Sequence, residues 1–175
     1  MHTLGYSRET PPETISSRVG AAYLFAIETG MRAGEICSLE WRYVNERHVH
    51  LPRTKNGHVR DVPLSVEARR IIEQLRSLTG DEETVFGVST ASLDALFRKA
   101  KRLALIEDLH FHDTRREALT RLSKVFDVME LARISGHRDL RVLQNVYYAP
   151  SVKDLADKLG AVRSVVDTGE AGADP

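Results

Sequence analysis

The chain has 175 residues, 42% of them hydrophobic and 29% charged, which suits one compact soluble domain with a sizeable core. Its 25 basic and 25 acidic side chains give a formal net charge of zero, so no overall basic field marks it as a nucleic-acid binder. A single cysteine excludes an internal disulfide, no apolar run reaches the roughly 20 residues that span a bilayer, and the N-terminus lacks a secretory pattern; we expect a cytoplasmic protein without a membrane partner.

Residues 1–14 are polar, contain Pro11-Pro12, and read as a leader or linker remnant. From Ile15 to Thr29 apolar residues recur at helical spacing (Val19, Ala22, Tyr23, Ala26, Ile27), and Gly30 supplies a stop. A second, short helix is predicted from about Ala33, carrying Ile36 and Leu39 inward. Beyond Asn45, "HVHLPRTKNGHVRDVPLS" alternates and is broken by Pro52, Asn56-Gly57 and Pro63. This pattern predicts two or three short strands with a tight turn at Asn56-Gly57 and Lys55 at its mouth.

Ser65 then caps a helix to Thr79, with Ile71, Ile72, Leu75 and Leu78 on its buried side and Gly80 at its end. Further helices are expected near Ser89, His112, Asp127, Asp139 and Ser151, with a stop at Gly136. The last residues, 163–175, drift into small and acidic composition and read as a flexible tail. The predicted fold class is mainly α with a small antiparallel β-sheet (α+β), forming one domain over residues 15–162.

The neutral charge is unevenly spread. Asp167, Glu170 and Asp174 fall in the last nine residues, so the rest holds 25 basic against 22 acidic side chains, a formal +3. Arg98, Lys99, Lys101 and Arg102 form one basic cluster, and Arg115, Arg116 and Arg121 a second. Composition leaves both open, as solvated helix faces or as anion-binding surfaces.

Several residues have chemical potential at their spacing. Arg32 and Glu35 stand three apart just after Gly30, either as ordinary surface charge or as an arginine aimed at an anion and held by a carboxylate. His112 and Arg115, in "FHDTRREALTRL", share a face at a helix start, where main-chain amides add attraction for an anion. His137 follows Gly136, with Tyr147-Tyr148 about three turns further on; taken alone, these read first as a helix-end histidine and as core or interface aromatics. His48, His50 and His58 lack a neighbouring acidic or cysteine cluster, so no metal site is assigned. Cys37 is expected in the core rather than as a thiolate nucleophile.

Taken in order, Arg32, Lys55, His112, Arg115, His137 and a tyrosine near 147 resemble the tyrosine recombinases, or phage-type integrases. "TGMRAGEICSLEW" is similar to the family's first-arginine box, "TKNGHVRDVPL" to its lysine hairpin, "FHDTRREAL" to its HxxR box, and "ISGHRDLRVLQNVYYAPSVKDLADKL" to the box that ends in the nucleophile. The resemblance runs from about Leu24 to Leu159 and implies the tyrosine recombinase catalytic-domain fold. It implies site-specific recombination of double-stranded DNA through a covalent 3′-phosphotyrosine, with no metal and no cofactor. The runner-up chemistry is a type IB topoisomerase-like or telomere-resolving strand transferase. A non-catalytic helical DNA-binding module is the alternative from another class.

The resemblance implies a role for each of these residues in the reaction. Arg32 and Arg115 clamp the non-bridging phosphate oxygens, which suits a guanidinium that stays charged and bonds bidentately. His112 is the base, Lys55 the proton donor to the leaving 5′-oxygen, His137 a hydrogen-bond partner of the phosphate, and Glu35 a support for Arg32. In the family pattern the nucleophile lies nine residues after the histidine of its box, which is Val146 here. "YYAP" fits best with Tyr147 as nucleophile and one extra residue before it, Tyr148 being the alternative. Arg98, Lys99, Lys101, Arg102 and Arg116 are the expected DNA-contacting cations. The resemblance further implies an N-terminal DNA-binding domain that this chain lacks, hence weak, salt-sensitive binding by this piece alone. It implies a homo-tetramer during recombination, with Val152, Leu155, Leu159 and Val162 available to a neighbour, and a monomer for the isolated domain. Its expected location is the nucleoid.

Overall fold

A computed structural model describes residues 2–52 and 59–148, together with residues 152, 153, 155–157 and 159 of a C-terminal helical segment. Lys55, the Asn56-Gly57 turn, His58, Ser151 and Val162 lie outside the described residues.

Helix α1 (Ile15–Thr29) packs against four other helices and buries Val19, Ala21, Ala22, Phe25 and Ala26 completely. Thr14 and Ser17 cap it reciprocally, satisfying amides that the first turn leaves open. Gly30 ends it at φ 65°, a left-handed conformation that costs a residue with Cβ more than glycine. Helix α2 (Ala33–Cys37) follows at once, because the Glu35 carboxylate accepts the Arg32 main-chain N–H at 2.9 Å and closes its start.

Two strands form the sheet, β1 (His48–Leu51) and β2 (Arg60–Pro63), antiparallel with His48 opposite Pro63 and Leu51 opposite Arg60. Their alternation turns Val49 and Leu51 inward on β1, and Arg60 and Val62 inward on β2. Helix α3 (Val66–Thr79) is capped by Ser65 and buries Ala68, Ile71, Ile72 and Leu75, with Leu78 only half-buried. Helix α4 (Thr90–Leu103), capped by Ser89, buries Leu93, Phe97 and Ala100; Phe97 stacks on Tyr23 of α1 with ring centres 5.4 Å apart.

The last three helices, α5 (Asp113–Leu122), α6 (Val128–Ser135) and α7 (Leu140–Tyr147), share a smaller core of Leu119, Leu131, Ala132 and Leu143, with Tyr147 and Tyr148 against it. Asp127 and Glu130 form a capping box on α6, which Gly136 closes at φ 73°.

The segment read from composition as a leader or linker remnant is packed against the domain. Leu4 and Tyr6 join the main core, and Tyr6 lies so close to α1 that a Cβ at Gly20 would stand 2.6 Å from its own. The Tyr6 hydroxyl donates to Gln74, whose amide donates in turn to the carbonyls of Ser7, Arg8 and Thr10. Among the described residues, no helix is long and apolar enough to cross a membrane.

Candidate active site

Two glycine-terminated helix ends build the site. Gly30 frees a carbonyl at the end of α1, and Gly136 does the same for Ile134 and Ser135 at the end of α6. Carbonyls at a helix C-terminus carry partial negative charge and draw cations. Arg115 on α5 donates from Nη1 to Gly30 O and from Nη2 to Ser135 O, the latter at 2.6 Å. Arg60 on β2 donates from Nε to Ile134 O at 2.9 Å. Both guanidiniums are buried.

Glu35 joins them to Arg32. Arg60 forks onto the carboxylate, Nη1 to Oε1 at 2.9 Å and Nη2 to Oε2 at 2.7 Å, while Arg32 makes one side-chain bond, Nη1 to Oε1 at 3.1 Å. Burial pushes the Glu35 carboxyl up, but the bonds from Arg60 and the Arg32 amide, with both guanidinium charges, outweigh it and hold the group below the usual carboxylate range. Among the described residues, three positive charges, those of Arg32, Arg60 and Arg115, therefore meet the one negative charge of Glu35.

The electrostatics show the crowding. Burial, with Arg32 and Arg60 nearby, pushes Arg115 down to about 10, against opposing pulls from Glu35 and Tyr147. It remains charged at neutral pH. His137 is pushed down to about 4 by burial and by the charges of Arg115, Arg32 and Arg60, so its ring is neutral. Its Nδ1 lies 2.7 Å from Ser135 Oγ, which itself donates to Leu131 O at 2.6 Å. Tyr147 is half-buried at the end of α7; burial raises its pKa, and the charges of Arg116 and Arg115 work against that rise. The Tyr148 hydroxyl donates to Phe126 O, and both residues pack against the small core.

The structure thus brings Arg32, Glu35, Arg115, His137 and Tyr147 into one electrostatic neighbourhood. His112 sits at the cap of α5, one turn before Arg115, with its ring exposed. Lys55 lies outside the described residues. Of the other expected cations, Arg116 is exposed on α5 and its charge works against the rise in the Tyr147 pKa, while Arg98, Lys99, Lys101 and Arg102 lie on the outer side of α4. Arg98 pairs with Asp94 at 2.9 Å, and Lys101 donates to Glu107 O at 2.8 Å. Half-buried Cys37 has its thiol pushed up to about 11 by burial, which keeps it protonated.

Sequence reasoning missed Arg60 and Ser135. The signal for Arg60 was present: the alternation that turns Val62 inward also turns Arg60 inward, and an arginine at an inward strand position needs a buried partner.

Fold and cluster together define a mainly helical domain with a buried cationic centre. The profile of the phage integrase family matches residues 4–153, and the chain belongs to that family. It is 56% identical over 149 residues to a Haemophilus influenzae protein provisionally named an integrase/recombinase, covering 84% of this chain and 49% of that protein. It is 43% identical to the shufflon-specific DNA recombinase of Escherichia coli, covering 79% of this chain and 36% of that one. The fold is shared with the Tn1549 transposon integrase, solved in complex with transposon right end DNA, at a TM-score of 0.68 and 17% identity over 85% of this chain and 60% of that one. The chain spans half or less of the length of these curated relatives.

Proposed function

We propose that this domain cleaves and rejoins double-stranded DNA at specific sites, with Tyr147 as the nucleophile. One observation carries the reading: Arg32, Arg60 and Arg115 converge around a single carboxylate beside His137 and Tyr147. Among the described residues this centre carries more positive than negative charge, and a phosphodiester, whose transition state spreads negative charge over its non-bridging oxygens, would balance it.

In the proposed step the Tyr147 oxygen bonds to phosphorus as the bond from phosphorus to the 5′-oxygen breaks. The phenol proton passes to His112, and the leaving 5′-oxygen takes a proton from Lys55, as the family resemblance implies. Arg32 and Arg115 hold the non-bridging oxygens with the donors they do not spend on protein carbonyls and Glu35. His137 takes a place beside the phosphate. The covalent phosphotyrosine keeps the bond energy, so a second strand's 5′-hydroxyl reverses the step. Tyr147 is favoured over Tyr148 by its position near Arg115 and Arg116, whereas the Tyr148 hydroxyl is engaged by Phe126.

The exposure of Val152, Leu155 and Leu159 supports a tetramer in which this segment packs on a neighbour. The test is a set of nicked suicide duplexes incubated with the protein in EDTA. A covalent protein–DNA adduct that survives denaturation and is lost in Tyr147→Phe is the expected result. If the protein binds these duplexes but forms no adduct, alone or joined to an N-terminal domain of a relative, the reading is a non-catalytic DNA-binding module instead.

A further inference from the structure

Arg60 is the guanidinium of the cluster for which the proposed chemistry has no use. Its side chain is only 5% exposed, and each of its three nitrogens is already bonded within the protein. Arg32 is different: its side chain is 24% exposed, and among the described residues it makes one side-chain bond, leaving Nε and Nη2 uncommitted. The two arginines therefore share Glu35 unequally. Arg60 takes both oxygens; Arg32 touches one.

We propose that Arg60 is a positioning residue that saturates the Glu35 carboxylate, so that Arg32 is steered by Glu35 but not captured by it. The proposal rests on the functional reading above. An arginine and a carboxylate left to themselves form a two-bond fork, the geometry both prefer. Without Arg60, Glu35 would draw Arg32 into that fork and turn its donors away from a phosphate. Its unshared charge would also stand beside the phosphate and repel it.

The same guanidinium sets the register of the other cations. Its Nε bond to Ile134 O ties β2 to the end of α6, one residue before the carbonyl that holds Arg115 and three before His137. Gly136 packs directly on it, since a Cβ there would stand 3.3 Å from Arg60 Cδ and Nη1. One buried side chain thus indexes Arg32, Arg115 and His137 to each other.

The charged and titratable groups around Glu35 are Arg32 on its own segment, Arg60 on β2 and Arg115 on α5, with Glu40, Arg42, Tyr43 and, on β1, His50 lining the same cavity. They make the proposal testable by pH. We would compare Arg60→Met, Arg60→Lys and the double variant Arg60→Met/Glu35→Gln with wild type. The readouts are the rate of adduct formation on a nicked duplex and the Glu35 carboxyl titration followed by carbon-13 NMR without DNA. Arg60→Met should slow the adduct on the order of 100-fold, the scale for a displaced clamp, while DNA affinity stays near wild type. Adding Glu35→Gln should recover most of that loss, because a neutral amide does not capture Arg32. The ratio of Arg60→Met to wild-type rate should rise as pH falls and Glu35 protonates. Arg60→Lys keeps the charge without the fork and should fall between the two, serving also where Arg60→Met does not fold.

A residue that merely holds the fold gives no rescue and a flat ratio, and either result overturns the proposal. So does an unchanged Glu35 titration in Arg60→Met. If wild type forms no adduct while that titration moves upward as expected, the strand-transfer reading fails and the saturation of Glu35 by Arg60 stands.

Discussion

The hydroxyl of Tyr148 donates to the main-chain carbonyl of Phe126, which locks the end of α7 onto the turn between α5 and α6. Tyr147, one residue earlier, is thereby turned toward the side where Arg115 and Arg116 act on it. Neighbouring residues at a helix end point about 100° apart, so fixing one fixes the other. Tyr147→Phe is therefore expected to abolish adduct formation with stability unchanged. Tyr148→Phe should keep the adduct and lose about 1 kcal/mol of stability, the usual worth of one such hydrogen bond. Gel mobility of denatured adducts and urea unfolding read the two effects separately; the reverse pattern would move the nucleophile to Tyr148.

Gly136 and Gly5 permit a controlled comparison. Both have positive φ, 73° and 67°, but a Cβ at Gly5 meets nothing within 4 Å, whereas one at Gly136 presses on Arg60. Alanine at either site should cost about 1–2 kcal/mol of backbone strain. Gly136→Ala should also depress the adduct rate, since it moves Arg60; Gly5→Ala should leave the rate alone. Equal rates in the two variants would show that Arg60 is insensitive to this contact.

The helices were legible in the sequence because caps and glycine stops are local signals: Ser65, Ser89 and Asp127 cap α3, α4 and α6, and Gly30 and Gly136 close α1 and α6 at the expected positions. Arg32, Arg115, His137 and Tyr147 were legible only as an ordered set resembling a family, since nothing local brings residues more than a hundred positions apart together. The alternation of β2 marks Arg60 as inward, but its partners, Glu35 and the Ile134 carbonyl, lie 25 and 74 residues away, where no local pattern names them. The N-terminal segment was read as polar because Leu4 and Tyr6 are too few to make a pattern. Their burial depends on the gap left by Gly20.

His137 predicts a stability slope with a definite sign. Its pKa falls from 6.5 in an open chain to about 4 in the fold. Between those values the unfolded chain takes up a proton that the folded protein refuses, so stability falls as pH drops from about 6.5 toward about 4 and is flat above that window. The loss should be about 1–3 kcal/mol once solvent screening is allowed for. His137→Gln should remove this component, which urea midpoints of variant and wild type across the window would show as a converging difference. A wild-type slope that the substitution leaves intact would assign the proton to another group.

Buried Arg115 predicts a different kind of loss. Arg115→Lys keeps a positive charge but cannot reach Gly30 O and Ser135 O with two separate nitrogens, so one buried carbonyl is left without its donor. We expect about 1–3 kcal/mol of destabilisation together with loss of the adduct, measured by urea unfolding and on the nicked duplex. A stable, active Arg115→Lys would mean that the two carbonyls do not fix the clamp.

The basic face of α4 should separate into committed and available cations. If this face meets DNA, each cation that neutralises a phosphate releases a counterion and steepens the dependence of affinity on salt. Arg98 is engaged by Asp94 and Lys101 by the Glu107 carbonyl, so their charge is partly spent within the protein, while Lys99 and Arg102 are exposed on the same helix. Lys99→Ala and Arg102→Ala should each weaken duplex binding for every sequence and reduce the salt slope by about one. Arg98→Ala should do less, because part of that charge is already offset by Asp94; Asp94→Asn should strengthen binding. Fluorescence anisotropy across a salt series reads all four. Unchanged slopes in Lys99→Ala and Arg102→Ala would place α4 outside the DNA contact and turn attention to exposed Arg116 on α5, whose charge reaches Tyr147.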